Sequence, residues 1–297
     1  MNEKRASWLL LGAAAMWGSS FVVSKYCINS GMLEFETVFY RFFLGSILTA
    51  VLFRKQMRHV TKSALRTGII LGVLSVLSYT VEMYGLSMTQ TTKASFLTAT
   101  NIVMMPFLYA LFCGVAPTRH SLLAAALAMT GVGFLSLTDG FGGIAVGDIL
   151  MLLDALTYGL NSILLVKLAG EDSRVQISFF QFTTVAIGMG ILTLFQGTGV
   201  TWGTASVLAI LYLAVVPTVL CYLIKNLAIK YVNPVRCTLL LATESIFCTI
   251  LSAILLGDRL SLRMVTGALL ICAGVLTEIL HPVKNQQGRK PSKSLPL

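Results

Sequence analysis

Polar and apolar residues along this chain are sorted into long blocks. Runs of about twenty mostly apolar residues, the length that crosses the hydrocarbon core of a bilayer as a helix, alternate with short polar connections. The pattern therefore predicts an all-α integral membrane protein with ten transmembrane helices. The predicted spans are 8–28, 37–53, 67–86, 94–112 and 122–137 in the first half and 149–168, 177–195, 206–227, 238–256 and 265–280 in the second.

Two segments interrupt this pattern. A glycine-rich stretch from Asp139 to Asp148 separates the fifth run from the sixth, and the last residues, 282–297, are polar and basic. We predict two five-helix units, residues 1–138 and 147–281, followed by a disordered cytoplasmic tail.

The composition agrees with a membrane protein and excludes an ordinary soluble enzyme. Of the 297 residues, 56% are hydrophobic and only 11% are charged, against roughly a quarter charged in a typical soluble domain. A net charge of +10 would suit a nucleic-acid partner, but the basic residues fall almost wholly in the connections. We therefore interpret the charge as a topology signal and predict no nucleic-acid partner.

The distribution of basic residues also predicts the orientation of the chain. If the N-terminus is cytoplasmic, the external connections hold only Lys93, Arg259 and Arg263, while Lys25 and Arg41 lie within spans. The rest of the 22 Lys and Arg residues fall in cytoplasmic segments, as the positive-inside rule requires. We predict a multi-pass protein of the cytoplasmic membrane with both termini in the cytoplasm.

The two halves of the chain are related in sequence. From Leu71 to Phe134, a shift of 143 residues aligns the first half with the second without a gap. It superposes Tyr79 on Tyr222, Glu82 on Lys225, Asn101 on Glu244, Gly114 on Gly257 and Gly131-Val132 on Gly274-Val275. Because each half holds five spans, an odd number, equivalent helices must cross the membrane in opposite directions. Inverted repeats of this kind place a substrate site near the midplane, between the halves.

Polar and ionisable residues inside the spans are the candidate site. A charged group at the bilayer centre costs about 2.5 to 3.5 kcal/mol, so such residues are expected to face a cavity. The candidates for substrate binding or coupling are Trp17, Ser20, Tyr79, Glu82, Asn101, Tyr158, Asn161, Tyr222 and Glu244. For the tyrosines and Ser20, hydrogen bonding between neighbouring helices is an equally good explanation.

Three further charged residues have structural alternatives. Arg41 and Asp154 lie near the outer boundary of their spans. An ion pair that joins Arg41 to Glu82 or Asp154 and fixes helix packing is as well supported as a substrate contact. Lys225, near the inner end of its span, is predicted to extend to the membrane surface.

Glu244 is the leading functional candidate. It lies well inside an apolar run, with no basic residue within one helical turn in sequence. Its repeat mate Asn101 is expected to face it across the symmetry axis. A carboxyl group at that place either exchanges a proton, which would couple transport to a proton gradient, or holds the ammonium group of a substrate. The sequence leaves both roles open.

The sequence favours a protein that is not an enzyme and that uses no cofactor or metal. His59, His120 and His281 lie in connections or in the tail, and neither an HExxH nor a GxSxG motif occurs. A polytopic channel or receptor without coupled transport is the alternative function, although neither class needs an inverted duplication.

Several motifs together resemble the EamA-type transporters, the ten-helix members of the drug/metabolite transporter superfamily, over essentially the whole chain. The resemblance rests on Trp17-Gly18-Ser19-Ser20-Phe21, which is similar to the W-G-S-x-F stretch of the family, on Arg41 in span two, on Gly147-Asp148, and on Glu244 with Gly257-Asp258 and Gly274-Val275. The chain departs from the usual E-P and G-E of the family with Glu244-Ser245 and Gly257-Asp258.

The resemblance implies a secondary active transporter that works by alternating access. The expected cargo is a small metabolite, an amino acid or related compound, and the expected direction is export. The implied partners are this small molecule and the lipid bilayer, while the oligomeric state is left open.

Overall fold

A computed structural model describes residues 3–114, 116–136, 145–169, 173–197, 203–228, 231–232, 237, 240–241, 243–258 and 261–280. The predicted tail, 282–297, and most of the glycine-rich segment between the halves lie outside the described residues, as does part of the ninth predicted span.

The described residues form helices joined by short turns, and no strand occurs among them. The first half contains α1 (Glu3–Asn29), α2 (Glu34–Leu52), α3 (Lys62–Met88), α4 (Thr91–Ala99), α5 (Asn101–Cys113) and α6 (Arg119–Ser136). The second half contains α7 (Val146–Leu168), α8 (Arg174–Gln196), α9 (Thr204–Leu213), a π-helical turn (Ala214–Leu220), α10 (Cys221–Ala228), α11 (Glu244–Leu255) and α12 (Leu262–Leu280). The pair α4 and α5 forms the fourth span, and α9 to α10 forms the eighth.

The helices suit a membrane environment. Seven of the described helical segments are long and apolar enough to cross a bilayer, and α11 and part of α12 are shorter apolar helices. Large apolar side chains also point away from the protein, such as Leu194 and Phe195, which are 83% and 85% exposed. Several helices extend past the predicted spans, because polar residues continue the helix beyond the hydrocarbon. For example, α3 begins at Lys62 rather than at residue 67, and the Thr61 hydroxyl caps it by accepting a hydrogen bond from the Ala64 N–H.

The helices pack with the two-fold pattern of an inverted repeat. Three pairs of equivalent spans pack against each other, α2 on α8, α4 on α11, and α6 on α12. Other large contacts come in matched sets: α3 packs on α7 as α10 packs on α1, and α1 packs on α11 as α7 packs on α4 and α5. The ten-helix fold of two inverted five-helix repeats is therefore confirmed.

The contact between α6 and α12 shows this symmetry at single residues. A Cβ at Gly131 would lie 2.6 Å from the Gly267 carbonyl oxygen and 3.0 Å from the Ile271 nitrogen. At the repeat mate, Gly274, a Cβ would lie 2.7 Å from the Ala124 carbonyl oxygen and 3.3 Å from the Ala128 nitrogen. Positions 124 and 128 are the repeat mates of 267 and 271, so each glycine allows the same close approach of two helices.

Both halves also break a helix at the same repeat position. Thr100, between α4 and α5, has φ −64° and ψ −12°, and Thr243, before α11, has φ −63° and ψ −9°. Each threonine hydroxyl donates to the carbonyl three residues earlier, at 2.6 Å and 2.7 Å. Asn101 and Glu244 are consequently each the first residue of a new helix. Discontinuous helices are common around the substrate sites of repeat-built transporters.

Candidate functional site

A cavity lies between the two repeats and receives side chains from both. Its volume is about 50 Å³, which is room for a few water molecules. The lining residues come from α1, α2, α3, α4, α7, α10 and α11, and they are Trp17, Ser20, Phe21, Arg41, Ser75, Ser78, Tyr79, Glu82, Thr98, Asp154, Tyr158, Asn161, Tyr222 and Glu244.

The structure brings nearly all of the sequence candidates to this cavity. Every one of them lines it except Asn101, whose side chain is buried and whose Oδ1 has no hydrogen-bond partner among the described residues. The i, i+4, i+7 spacing of Asp154, Tyr158 and Asn161 puts these three side chains on one face of α7. Asn101 is therefore not brought into the lining of the cavity beside Glu244.

Aromatic side chains surround the cavity near its centre. The hydroxyls of Tyr79 and Tyr222 lie 2.9 Å apart and form a hydrogen bond. The Tyr222 ring makes edge contacts with the rings of Trp17 and Phe182, with centroids 5.6 and 5.2 Å apart, while the Phe42 ring lies 4.8 Å from that of Tyr79. Edge-to-face packing of this kind fixes ring orientation.

Arg41 does not form the predicted ion pair. Among the described residues, no carboxylate lies within 4.0 Å of its guanidinium. Its Nε instead donates to the Thr218 hydroxyl at 2.6 Å, and its Cζ lies 5.4 Å from the ring centroids of both Phe42 and Tyr79. Aromatic faces and one hydroxyl thus hold the charge in place. The sequence could not reveal this, because Thr218 is 177 residues away.

Asp154 is bound by hydroxyl groups rather than by Arg41. Its Oδ1 accepts from Ser78 at 2.6 Å and its Oδ2 accepts from Thr98 at 3.2 Å. These contacts join α7 to α3 and α4. Asn161 makes a similar connection, since its Nδ2 donates to the Leu71 carbonyl at 3.0 Å and to Ser75 at 3.1 Å.

The predicted extension of Lys225 to the membrane surface is wrong. Lys225 is buried, and its Nζ donates to the Tyr158 hydroxyl at 3.1 Å and to Ser162 at 3.4 Å. The ammonium also lies 4.3 Å from the Tyr158 ring centroid and 5.8 Å from that of Trp17. Its position as the repeat mate of Glu82 was the signal that could have placed it beside the cavity.

Two carboxylates line the cavity without a binding partner. Neither Glu82 nor Glu244 makes a hydrogen bond or an ion pair with another described residue. Close packing of α1 against α11 positions Glu244, because a Cβ at Gly18 would lie 2.5 Å from the Glu244 carbonyl oxygen. The glycine of the Trp17-Gly18 motif therefore allows Trp17 and Glu244 to line the same cavity.

A π-helical turn shapes one side of the cavity and was not predicted. Pro217 lacks the N–H of a regular helix, and the Thr218 hydroxyl donates to the Leu213 carbonyl at 2.8 Å instead. The Trp17 Nε1 donates to the Pro217 carbonyl at 2.7 Å. The turn thus presents Thr218 to Arg41 and anchors Trp17. A proline inside an apolar span was the available signal, and π-turns often occur at functional sites.

A buried ion pair and a lysine cap lie at the predicted outer ends of the helices. Lys93 and Asp148, at the starts of α4 and α7, are joined at 2.8 Å with both side chains buried. Lys25 donates to the carbonyls of Leu86 and Thr89 at 2.6 and 3.1 Å, where α3 ends, and a cation is favourable at a helix C-terminus. These contacts pair charged side chains and terminal carbonyls at the helix ends on that side of the protein.

Comparison with known proteins gives a consistent result. The model of the EamA-like transporter family matches the chain twice, at residues 4–137 and 145–278. A protein of Archaeoglobus fulgidus described as an uncharacterized transporter is 27% identical over 264 residues, which cover 89% of this chain and 82% of the relative. A second one from the same organism is 26% identical over 286 residues, which cover 93% of this chain and 97% of the relative. A solved structure described only as the crystal structure of a protein shares the fold, with a TM-score of 0.71 over 96% of this chain and 99% of that chain at 14% identity.

The fold and the matches define a multi-pass membrane transporter built from two inverted repeats. More particularly, the chain belongs to the EamA-like transporter family, whose model covers nearly the whole of both halves.

Proposed function

We propose that this protein is a secondary active transporter that exports a small metabolite, an amino acid or related compound, by alternating access. The observation that carries the proposal is the cavity between the repeats, which receives polar and charged side chains from both halves. Transporters built from inverted repeats bind their substrates in this place. The export direction and the cargo class rest on the resemblance to the family.

The symmetry of the fold supports alternating access. In an inverted repeat, the two halves can exchange conformations, so a contact that closes one end of the cavity has a counterpart that closes the other. The cavity of about 50 Å³ is smaller than a typical ligand pocket. A cargo of metabolite size would therefore enter only when the helices separate on one side.

We further propose that Glu244 is the coupling group or the site of a substrate ammonium. Its carboxylate lines the cavity without a partner among the described residues. An unpaired carboxylate inside a membrane protein is costly in its charged form unless a proton or a cationic cargo neutralises it. Either role would link the occupancy of the site to its charge.

Transport by purified protein in liposomes tests these proposals. Wild-type protein is expected to show saturable counterflow of an amino acid or related metabolite, and uphill transport when a proton gradient is applied. If Glu244 carries the proton, Glu244→Gln should lose uphill transport but keep counterflow, because exchange needs no net proton movement. If it holds the ammonium group of the cargo, both activities and ligand binding should be lost together.

Matched controls make the result specific. Glu3→Gln removes an exposed carboxylate at the first residue of α1, outside the lining of the cavity, and should behave as wild type. Unchanged pumping by Glu244→Gln, with the same affinity and pH profile, would remove Glu244 from the mechanism. Flux without counterflow would indicate a channel, and the direction of uphill flux in oriented vesicles tests export.

A further inference from the structure

We propose that Arg41 and Glu82 bind the charged head group of the cargo, with Arg41 on a carboxylate and Glu82 on an ammonium group. The cargo is then a free amino acid or a similarly compact zwitterion, not a simple amine or a simple carboxylic acid. This inference rests on the proposed transport function. It also leaves Glu244 free to act in coupling.

The Arg41 side chain is arranged as an anion receptor. It lines the cavity and is only 3% exposed. Its Nε is occupied by Thr218 at 2.6 Å, whereas its two terminal nitrogens have no hydrogen-bond partner among the described residues. A guanidinium with both terminal nitrogens available binds a carboxylate through two parallel hydrogen bonds.

The position of this guanidinium is fixed before any ligand arrives. The Thr218 hydroxyl that accepts from Nε donates in turn to the Leu213 carbonyl at 2.8 Å, so Thr218 of the π-helical turn links the guanidinium to the last residue of α9. The rings of Phe42 and Tyr79 lie 5.4 Å from Cζ. A preorganised receptor loses less entropy on binding.

Glu82 is the carboxylate best placed to work with Arg41. It follows Tyr79 by three residues on α3, on the same face of the helix as the ring that Arg41 covers. Arg41 and Glu82 both line the cavity, yet they are not within 4.0 Å of each other. Asp154 is less suitable, because Ser78 and Thr98 already bind both of its oxygens.

Opposite charges that share a cavity without touching match the head group of an amino acid. The α-carboxylate and α-ammonium groups sit on one carbon atom, so a single ligand can satisfy both side chains at once. A simple amine would leave Arg41 unpaired, and a simple carboxylate would leave Glu82 unpaired. Because an unpaired buried charge is costly, a site of this kind rejects analogues that lack either group.

Binding measurements with matched compounds test the proposal. Purified wild-type protein in detergent is screened by thermal shift with the twenty standard L-amino acids, since a ligand that binds the folded state raises the unfolding temperature. The strongest binder is then compared by calorimetry with its decarboxylated amine and its deaminated carboxylic acid. We expect the amino acid to bind about tenfold or more tightly than either analogue.

The variants should separate the two charges. Arg41→Gln is expected to lose the preference over the amine but keep the preference over the carboxylic acid, and Glu82→Gln should show the reverse. Arg66→Gln and Glu3→Gln, which remove exposed charges outside the cavity, should retain both preferences. If Arg41→Gln does not fold, Arg41→Lys keeps the charge without the two parallel donors and should retain a weakened preference over the amine.

Three results would overturn the inference. They are equal binding of all three compounds by wild type, an equal loss of affinity for all three in both variants, and no binding of any amino acid. Saturable counterflow of a solute without a zwitterionic head group would also reject it while leaving the proposed transport function intact. Absence of counterflow for every solute tested would instead reject the transport function.

Discussion

The hydroxyls of Tyr79 and Tyr222 lie 2.9 Å apart, and the two residues are repeat mates separated by 143 positions. A two-fold axis relates each atom to its equivalent, so a residue contacts its own repeat mate only where it lies next to that axis. The two tyrosines therefore mark the place where the pseudo-symmetry axis passes through the cavity. Their neighbours one turn away, Glu82 and Lys225, are also repeat mates but carry opposite charges.

The hydrogen bond between these tyrosines should couple them energetically. Tyr79→Phe and Tyr222→Phe are each expected to lower the unfolding free energy by about 1 kcal/mol, because each leaves one buried hydroxyl without its partner. The double variant should cost less than the sum of the two single losses, and unfolding in mixed micelles measures the difference. Strictly additive losses would mean that the hydroxyls do not interact in the membrane protein.

The buried ion pair of Lys93 and Asp148 should contribute strongly to stability. Asp148→Asn alone is expected to cost about 3 kcal/mol or more, because it leaves a buried ammonium without its counter-charge. Adding Lys93→Met should recover much of that loss. Thermal unfolding in detergent of the single and double variants measures this. A double variant less stable than Asp148→Asn would show that the pair is not coupled.

The buried charge of Lys225 is expected to lower the unfolding free energy of the protein while contributing to transport. Its buried ammonium contacts hydroxyls and ring faces, with no carboxylate within 4.0 Å among the described residues. Lys225→Met is therefore expected to raise the unfolding free energy by about 1 kcal/mol and to slow transport in liposomes. Lys55→Met, which removes an exposed lysine in the connection between α2 and α3, should change neither property. A destabilised Lys225→Met with normal transport would show a purely structural role.

The predicted orientation can be checked by labelling. In a variant with all six native cysteines replaced, Ser30→Cys should react with a membrane-impermeant maleimide in intact cells, and Gln56→Cys should not. Both side chains are exposed in the structure, so a difference reports the side of the membrane. A permeant maleimide should label both positions and serves as the control. The opposite pattern would reverse the orientation of every segment.

The sequence alone determined the architecture, because long apolar runs have few stable alternatives in a bilayer. Without water in the hydrocarbon core, each backbone polar group must be paired inside its own helix, so the ten runs predict ten helices. The alignment at 143 residues likewise predicts inverted halves, since five spans per half is an odd number. The polar face of α7 and the cavity position of Tyr79 and Tyr222 follow from the same patterns.

Only the tertiary structure decided which polar groups meet. Arg41 contacts Thr218 and aromatic rings instead of an acid, Lys225 turns inward to Tyr158, and Asn101 lies outside the cavity. Each outcome depends on side chains from distant parts of the chain and on a π-helical turn at Pro217. Helix periodicity fixes the face on which a residue lies, but the partner it meets is set by how helices pack, and the sequence does not encode that packing locally.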